Sequence, residues 1–444
     1  MPLDAIDFEP RPWVPYSGWP FPKTTLDPYY ARVQRQLELG PFVYDEAAWG
    51  LLGVEPPAFD PARVRTAFWQ FDDAYWRFGI GSCRDLVKAS NVRILLHAVA
   101  TRLAARREGT AVDFLEVATP EGRLATVRAR TFVLAAGGID NPRLLLASND
   151  VEPGGLGNRF DLVGRFFMEH PHGRAARIET EAPYRLWKRF HKRSAAGVTF
   201  APVLRPGEAL QEKGGLLNTS VALRYQRKPE AGLSLHRVIY DAVKTAGPPT
   251  TFRRNLWRFY KRANALRHRA LDPFVRRMKL ARGKSGIYLV ARGEQAPNPE
   301  SRVRLSSTRD ALGVPQADLD WRLSVLDKRS VAGLAAALDE ELRRLGLGRR
   351  QREPWLDEAT RDWPVDPTVS KHAIGGYHHM GTTRMADDPK RGVVDRHGRV
   401  HGVANLYVAG SSVFPTSGWA NPTFTLLALT LRLADHLRAT DRAG

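Results

Sequence analysis

Apolar and polar positions change period several times along the chain, and each change marks an element. Between residues 92 and 135 the periods are short. Val92 to Leu96 is an apolar run that predicts a strand, and Val112 to Ala118 alternates. Glu121-Gly122 then turns, and Leu124 to Arg130 alternates back, as in a hairpin. Thr131 to Ala135 is a continuous apolar run that predicts a buried strand. It enters Gly137-Gly138, after which Asp140-Asn141-Pro142 opens a helix over Arg143–Ala147. Further on, Glu294 to Leu305 reads as a turn leading into a strand, and Asp318 to Leu323 alternates. Residues 327–346 place Val331, Leu334, Leu338, Leu342 and Leu345 on one helical face. Nearer the N-terminus, Pro and Trp dominate up to residue 70, with a helix predicted from Pro28 to Leu39.

The last seventy residues repeat the grammar of residues 131–147. Asn405 to Ala409 is a short apolar run ending in Gly410-Ser411-Ser412, and Asn421-Pro422-Thr423 opens a strongly apolar helix from Phe424 to Leu433. Strand, glycine turn and helix in this order form a ligand crevice in α/β proteins. Glycine lets the backbone come close to a ligand. Pro422 suits the first helical position and Asn421 the cap before it. A buried helix start carries free N–H groups and partial positive charge, which favour an anion or an electron-rich ring. The alternative is that Asn421 only caps its helix.

Composition narrows the class. The chain has 444 residues, 43% hydrophobic and 9% aromatic, enough for a large globular core in two or three domains. A single cysteine, Cys83, excludes an internal disulfide framework and fits a reducing compartment. No apolar run reaches the length of a membrane span. The formal net charge is +20, and residues 251–284 hold twelve Lys or Arg against one acid, Asp272. Within that segment Phe252, Leu256, Phe259, Tyr260, Ala263 and Leu266 recur at helical spacing. This is the pattern of an interfacial basic helix that meets an anionic membrane or an acidic partner. The alternative is a solvated face packed on its own domain. Nucleic acid is a weaker expectation, because no recognised module accompanies the charge.

The chemistry-bearing residues gather late. His378-His379-Met380-Gly381-Thr382 is followed by Val394-Asp395, Arg399-Val400-His401-Gly402, Asn405-Leu406-Tyr407-Val408, Gly410-Ser411 and Asn421-Pro422-Thr423. In order and spacing this stretch resembles the glucose–methanol–choline (GMC) family of flavin oxidoreductases. The resemblance implies an FAD-binding domain built from discontinuous segments, α/β in class, beside an α+β substrate domain with an antiparallel sheet. It implies that His378 is the active-site base and Asn421 the second catalytic position. Gly137, Gly138, Gly410, Ser411, Pro422 and Thr423 are then expected to line the FAD. Asp140-Asn141, in place of smaller residues, is similar to the subgroup of sugar and polyol dehydrogenases. Gly164-Arg165-Phe166-Phe167-Met168-Glu169-His170-Pro171-His172 holds two histidines, but no third ligand sits at metal-binding spacing, so no metal is expected.

One family feature is missing. No strand–Gly-x-Gly-x-x-Gly–helix fingerprint is found. Gly79-Ile80-Gly81, Gly155-Leu156-Gly157 and Gly346-Leu347-Gly348 have Arg84, Phe160 and Gln351 where the third glycine belongs. Met278 spoils a phosphate loop ahead of Gly283-Lys284-Ser285. The expectation is that the chain begins inside a longer fold and that the fingerprint lies upstream of Met1. The expected division is 1–70, 71–160, a substrate domain over 161–370 that contains 251–284, and a catalytic segment over 371–444. The function implied by the resemblance is oxidation of CH–OH in an alcohol, sugar or polyol by hydride transfer to FAD, with an unidentified electron acceptor. The alternative is an incomplete or non-catalytic chain serving as a binding or membrane-associated subunit. The expected location is the cytoplasm, with peripheral attachment to the membrane through 251–284.

Overall fold

The computed structural model describes residues 1–71, 77–228, 250, 252, 255, 256, 259, 274–283, 285–357, 359–367, 369–370 and 376–443. Most of the basic segment 251–284 therefore lies outside the described residues. In chain order the elements that place the site are α1 (Asp27–Gln36), β1 (Val64–Phe71), β2 (Val99–Ala105), β3 (Val112–Ala118), β4 (Leu124–Val127), β5 (Phe132–Leu134) and α2 (Gly137–Ala147). There follow β6 (His172–Glu179), β7 (Arg193–Ala195), β8 (Val198–Pro206), β9 (Ser220–Arg227), β10 (Ser285–Arg292), β11 (Arg302–Arg309) and β12 (Pro315–Asp320). The last are α3 (Val325–Arg344), β13 (Arg349–Arg352), β14 (Leu406–Val408) and α4 (Pro422–Ala443).

A seven-stranded sheet, ordered β1-β8-β9-β10-β6-β13 with β7 paired to β8, runs through the middle, and its pairings are antiparallel. Successive side chains on a strand point to opposite faces, so each strand can feed two cores. On one face Phe68, Phe200, Leu223 and Leu289 pack with Val331, Leu334, Leu338 and Leu342 of α3. These α3 residues are the apolar stripe that the 3.6-residue period predicts, and Ser324 caps the helix through the Asp327 N–H. On the other face Ala67, Trp69, Ala201, Val203 and Ala222 join a second core with β5, β14 and α4.

The N-terminal aromatic and acidic residues dock onto this second core. Trp19 stacks near Phe8 and Phe414, and its Nε1 donates to Thr416 at 2.9 Å. Tyr30 of α1 stacks on Phe424 of α4, with ring centroids 5.5 Å apart. The deepest charged contact is Arg11 with Glu294. Two guanidinium nitrogens reach both carboxylate oxygens at 2.9 and 2.5 Å, and neither side chain meets solvent. Glu294 also accepts the Asn218 backbone N–H at 2.6 Å. The pair thus joins residues 1–20 to the end of β10.

Two expectations change here. Val92 to Leu96 is not a strand: Ile94, Leu95 and Leu96 are exposed, and the strand begins at Val99. His97 sits at φ 56°, which turns the chain out of the extended region between the apolar run and β2. The strand expected over 131–135 forms as β5, but it is not buried on both faces. Phe132 and Leu134 point inward while Val133 is exposed.

Removing one member of a buried, hydrogen-bonded ion pair leaves the other charge without compensation. Arg11→Ala is expected to lower unfolding free energy by about 3–5 kcal/mol, measured by urea denaturation. A loss below about 1 kcal/mol would show that the pair does not fix the N-terminal segment.

Candidate active site

Backbone pairing builds the site from two distant segments. Met168 and Met380 exchange both N–H···O=C bonds at 3.0 Å in an antiparallel bridge. Counting outward from that bridge, Glu169 lies beside His379 and His170 beside His378. The side chains follow. His170 Nδ1 and His378 Nδ1 are 2.9 Å apart. Glu169, fully buried, accepts the backbone N–H of His170 at Oε1 and that of His378 at Oε2, both at 2.7 Å. One carboxyl group therefore holds both histidine segments in register.

The hydrogen-bond chain fixes the tautomers. His170 Nε2 lies 2.8 Å from the Gly418 carbonyl, which can only accept, so that nitrogen carries the proton. Burial, then the nearby Arg292 guanidinium, pushes the His170 ring down to about 3, so its Nδ1 is a bare acceptor. His378 Nδ1–H must then donate to it, which leaves His378 Nε2 unprotonated. No hydrogen-bond partner reaches Nε2 among the described residues. Burial, with His170 and Arg292 close by, pushes His378 down to about 2. The ring is thus locked in its neutral form.

Asn421 directly precedes α4, and Pro422 is the first residue of that helix. Its Oδ1 accepts a hydrogen bond from Arg292 Nη1 at the end of β10. No bond from Asn421 to the α4 backbone is present among the described residues, so capping is not what holds this side chain. With Oδ1 engaged, the amide NH2 is left to donate. Arg292 Nε donates to His172 Nε2 at 3.0 Å, and the guanidinium lies over the Trp69 ring at 5.0 Å. Burial first, then Arg292, pushes His172 down to about 3. His379 Nε2 is 3.8 Å from Glu169 Oε2, yet burial lowers its pKa too, so this contact is not an ion pair.

The glycines predicted to meet a cofactor divide into two kinds. β5 and β14 are parallel neighbours, and each ends in a glycine at positive φ: Gly137 at 87° and Gly410 at 111°. A Cβ at either would meet no atom within 4 Å, so both border open space at the carboxyl ends of adjacent parallel strands. That is where open α/β sheets bind ligands. These residues and the helix starts behind them fit a flavin group. Gly138 and Ser411 instead serve the protein. A Cβ on Gly138 would fall 2.6 Å from the His379 carbonyl oxygen, and Ser411 Oγ donates to that same oxygen at 2.7 Å. Pro422 is buried and Thr423 is exposed. Asn141, fully buried, accepts the Ala136 N–H at 2.8 Å and donates to Ser412 Oγ at 2.9 Å, so it ties the two glycine turns together. Among the described residues no cluster of three or more His, Cys, Asp or Glu could hold a metal ion.

Fold and site together define an α/β chain with a crevice at two parallel strands, walled by an antiparallel sheet. Residues 297–430 match the GMC oxidoreductase family model. Over that segment the chain is similar to GMC oxidoreductases. It is 28% identical over 335 residues to the fructose dehydrogenase large subunit of Gluconobacter japonicus, covering 75% of this chain and 51% of that protein. It is 27% identical over 309 residues to paromamine 6'-oxidase of Streptomyces fradiae, covering 69% of this chain and 45% of that one. The chain thus spans about half the length of these relatives. An FAD-dependent oxidoreductase from Chaetomium thermophilum shares the fold over 100% of this chain and 84% of its own, with a TM-score of 0.51 at 15% identity.

Glu169 sets a measurable pH dependence. Burial outweighs its two backbone donors and pushes the carboxyl up to about 7. A raised carboxyl contributes stability that is fully present below its unfolded value and is lost as pH rises through the folded value. Between about pH 4.5 and 7, wild-type stability should therefore fall relative to Glu169→Gln and then level off. At pH 5 the variant should be the less stable by about 1–3 kcal/mol, since its NH2 faces a backbone N–H. Urea midpoints across that range check both; parallel curves for the two proteins would contradict them.

Proposed function

We propose that the chain forms the catalytic part of an FAD-dependent oxidoreductase that converts CH–OH to C=O in an alcohol, sugar or polyol. The observation that carries this reading is the bare Nε2 of His378, held in place beside the crevice flanked by Gly137 and Gly410. Bound FAD would supply the hydride acceptor, held by the glycine turns after β5 and β14 and by the start of α4. His378 Nε2 takes the hydroxyl proton, and His170 keeps that ring oriented and in one tautomer. The Asn421 NH2 donates to the substrate oxygen as negative charge develops there. Arg292 is a positioning residue that turns the Asn421 amide. The names of the fructose dehydrogenase and paromamine oxidase relatives support alcohol or sugar substrates.

The word "subunit" in the first relative's name supports assembly with a further chain, which would also pass on the electrons. Residues 251–284 are the proposed contact with an anionic membrane or an acidic partner. Phe252, Phe259 and Phe274, described residues of that segment, are 76%, 71% and 75% exposed. Among the described residues no helix is long and apolar enough to cross a membrane. The proposed location is cytoplasmic and peripheral to the membrane, supported by the single cysteine and this segment.

In the flavin-loaded protein, anaerobic addition of substrate should bleach the visible flavin bands. His378→Ala should cut turnover by about a hundred- to ten-thousandfold while keeping the flavin absorbance, and His379→Ala should be milder. A His379→Ala enzyme that is dead beside a near-normal His378→Ala would move the base by one residue. A colourless protein that takes up no FAD would favour a non-catalytic binding subunit.

A further inference from the structure

The site-facing row of the seven-stranded sheet is cationic. Antiparallel register pairs Ser220 with Arg292 and Arg224 with Tyr288, so Arg224 and Arg292 project from the same face of β9 and β10. Both guanidinium groups approach the buried Trp69 ring, Arg292 at 5.0 Å and Arg224 at 5.8 Å. Neither is exposed, and neither forms an ion pair among the described residues. Among the buried arginines, Arg11 pairs with Glu294, Arg174 with Asp366 and Arg205 with Asp4, while Arg384 is held by the Pro415 and Tyr16 carbonyls. The nearest acid to Arg292 in the site, Glu169, has both oxygens committed to backbone N–H groups.

Two half-buried like charges side by side are unfavourable unless something negative joins them. Guanidinium groups also bind carboxylate and phosphate oxygens in a planar, two-pronged geometry that neutral sugars cannot match. Because Arg292 also holds Asn421, an anion seated on this pair lies next to the oxygen-binding amide.

We propose that the substrate is a hydroxylated compound carrying a negative group, a sugar acid or a sugar phosphate, and that Arg224 and Arg292 bind that group. This rests on the alcohol-oxidation reading above and narrows its substrate class. The same charges disfavour a cationic substrate such as choline, so this site departs from a relative whose name carries that compound.

The test uses Arg224, which has no contact with His378 or Asn421 among the described residues. Binding of D-gluconate, D-glucose 6-phosphate and D-glucose to the flavin-loaded protein is measured by calorimetry, for wild type, Arg224→Gln and Arg224→Lys. At least one acid should bind about tenfold or more tightly than D-glucose, and the two acids distinguish carboxylate from phosphate. Arg224→Gln should weaken that acid about ten- to a hundredfold with D-glucose binding unchanged, and Arg224→Lys should retain part of it. Equal affinities for all three compounds, or an Arg224→Gln protein of unchanged melting temperature that still binds the acid fully, would overturn the proposal. So would Arg224→Gln losing flavin while keeping acid affinity. Flavin that bleaches with D-glucose and with neither acid would keep the oxidation reading and reject the anion site. Arg224-dependent acid binding in a protein that takes up no flavin would do the reverse.

Discussion

Glu169 is the group on which the candidate site depends. Its carboxyl is wholly buried and takes one backbone N–H from each of two segments that are 209 residues apart in sequence. A buried acceptor that lost either donor would carry its full desolvation cost, so the two segments are held together tightly. The Met168–Met380 bridge sets their register and the carboxyl locks it. From that register follows the His170–His378 contact, and from the Gly418 carbonyl follows the direction of every proton in the chain. The basic nitrogen of His378 is thus a consequence of backbone pairing as much as of the imidazole itself.

The central sheet plays the complementary part. One face is consumed by the apolar stripe of α3, and the other carries Trp69, Arg224 and Arg292 toward the segment that precedes α4. Strand alternation makes this division possible: a single strand such as β1 supplies Phe68 to one core and Trp69 to the other. Arg292 then couples the two halves of the site, since it reaches His172 on β6 and Asn421 before α4 from one guanidinium.

Much of this arrangement could be read from the chain itself. The strand–glycine–helix grammar around Gly137 and Gly410 corresponds to the parallel β5–β14 pair, and the stripe over residues 327–346 is α3. The family resemblance pointed to His378 and Asn421 through their places beside Gly381-Thr382 and Pro422, and the structure sets both beside partners from distant strands. Glu169, Arg224 and Arg292 were not legible, because their roles come from pairings between distant strands that no local pattern records. The Glu169-His170-Pro171-His172 run did show two histidines, but it invited a metal question; its real partner, His378, lies two hundred residues away. The apolar run at Val92–Leu96 misled because hydrophobicity alone does not report the turn at His97.

Proton placement on the two histidine rings tests the account most directly. With 15N-labelled histidine, imidazole nitrogen shifts report which nitrogen carries hydrogen, and single His→Gln variants assign the signals. The expected result is His378 protonated at Nδ1 and bare at Nε2, with His170 protonated at Nε2, both unchanged between pH 5 and 8. A His378 signal that titrates near 6.5, or that shows hydrogen on Nε2, would contradict the claim that the fold presents a neutral, oriented base.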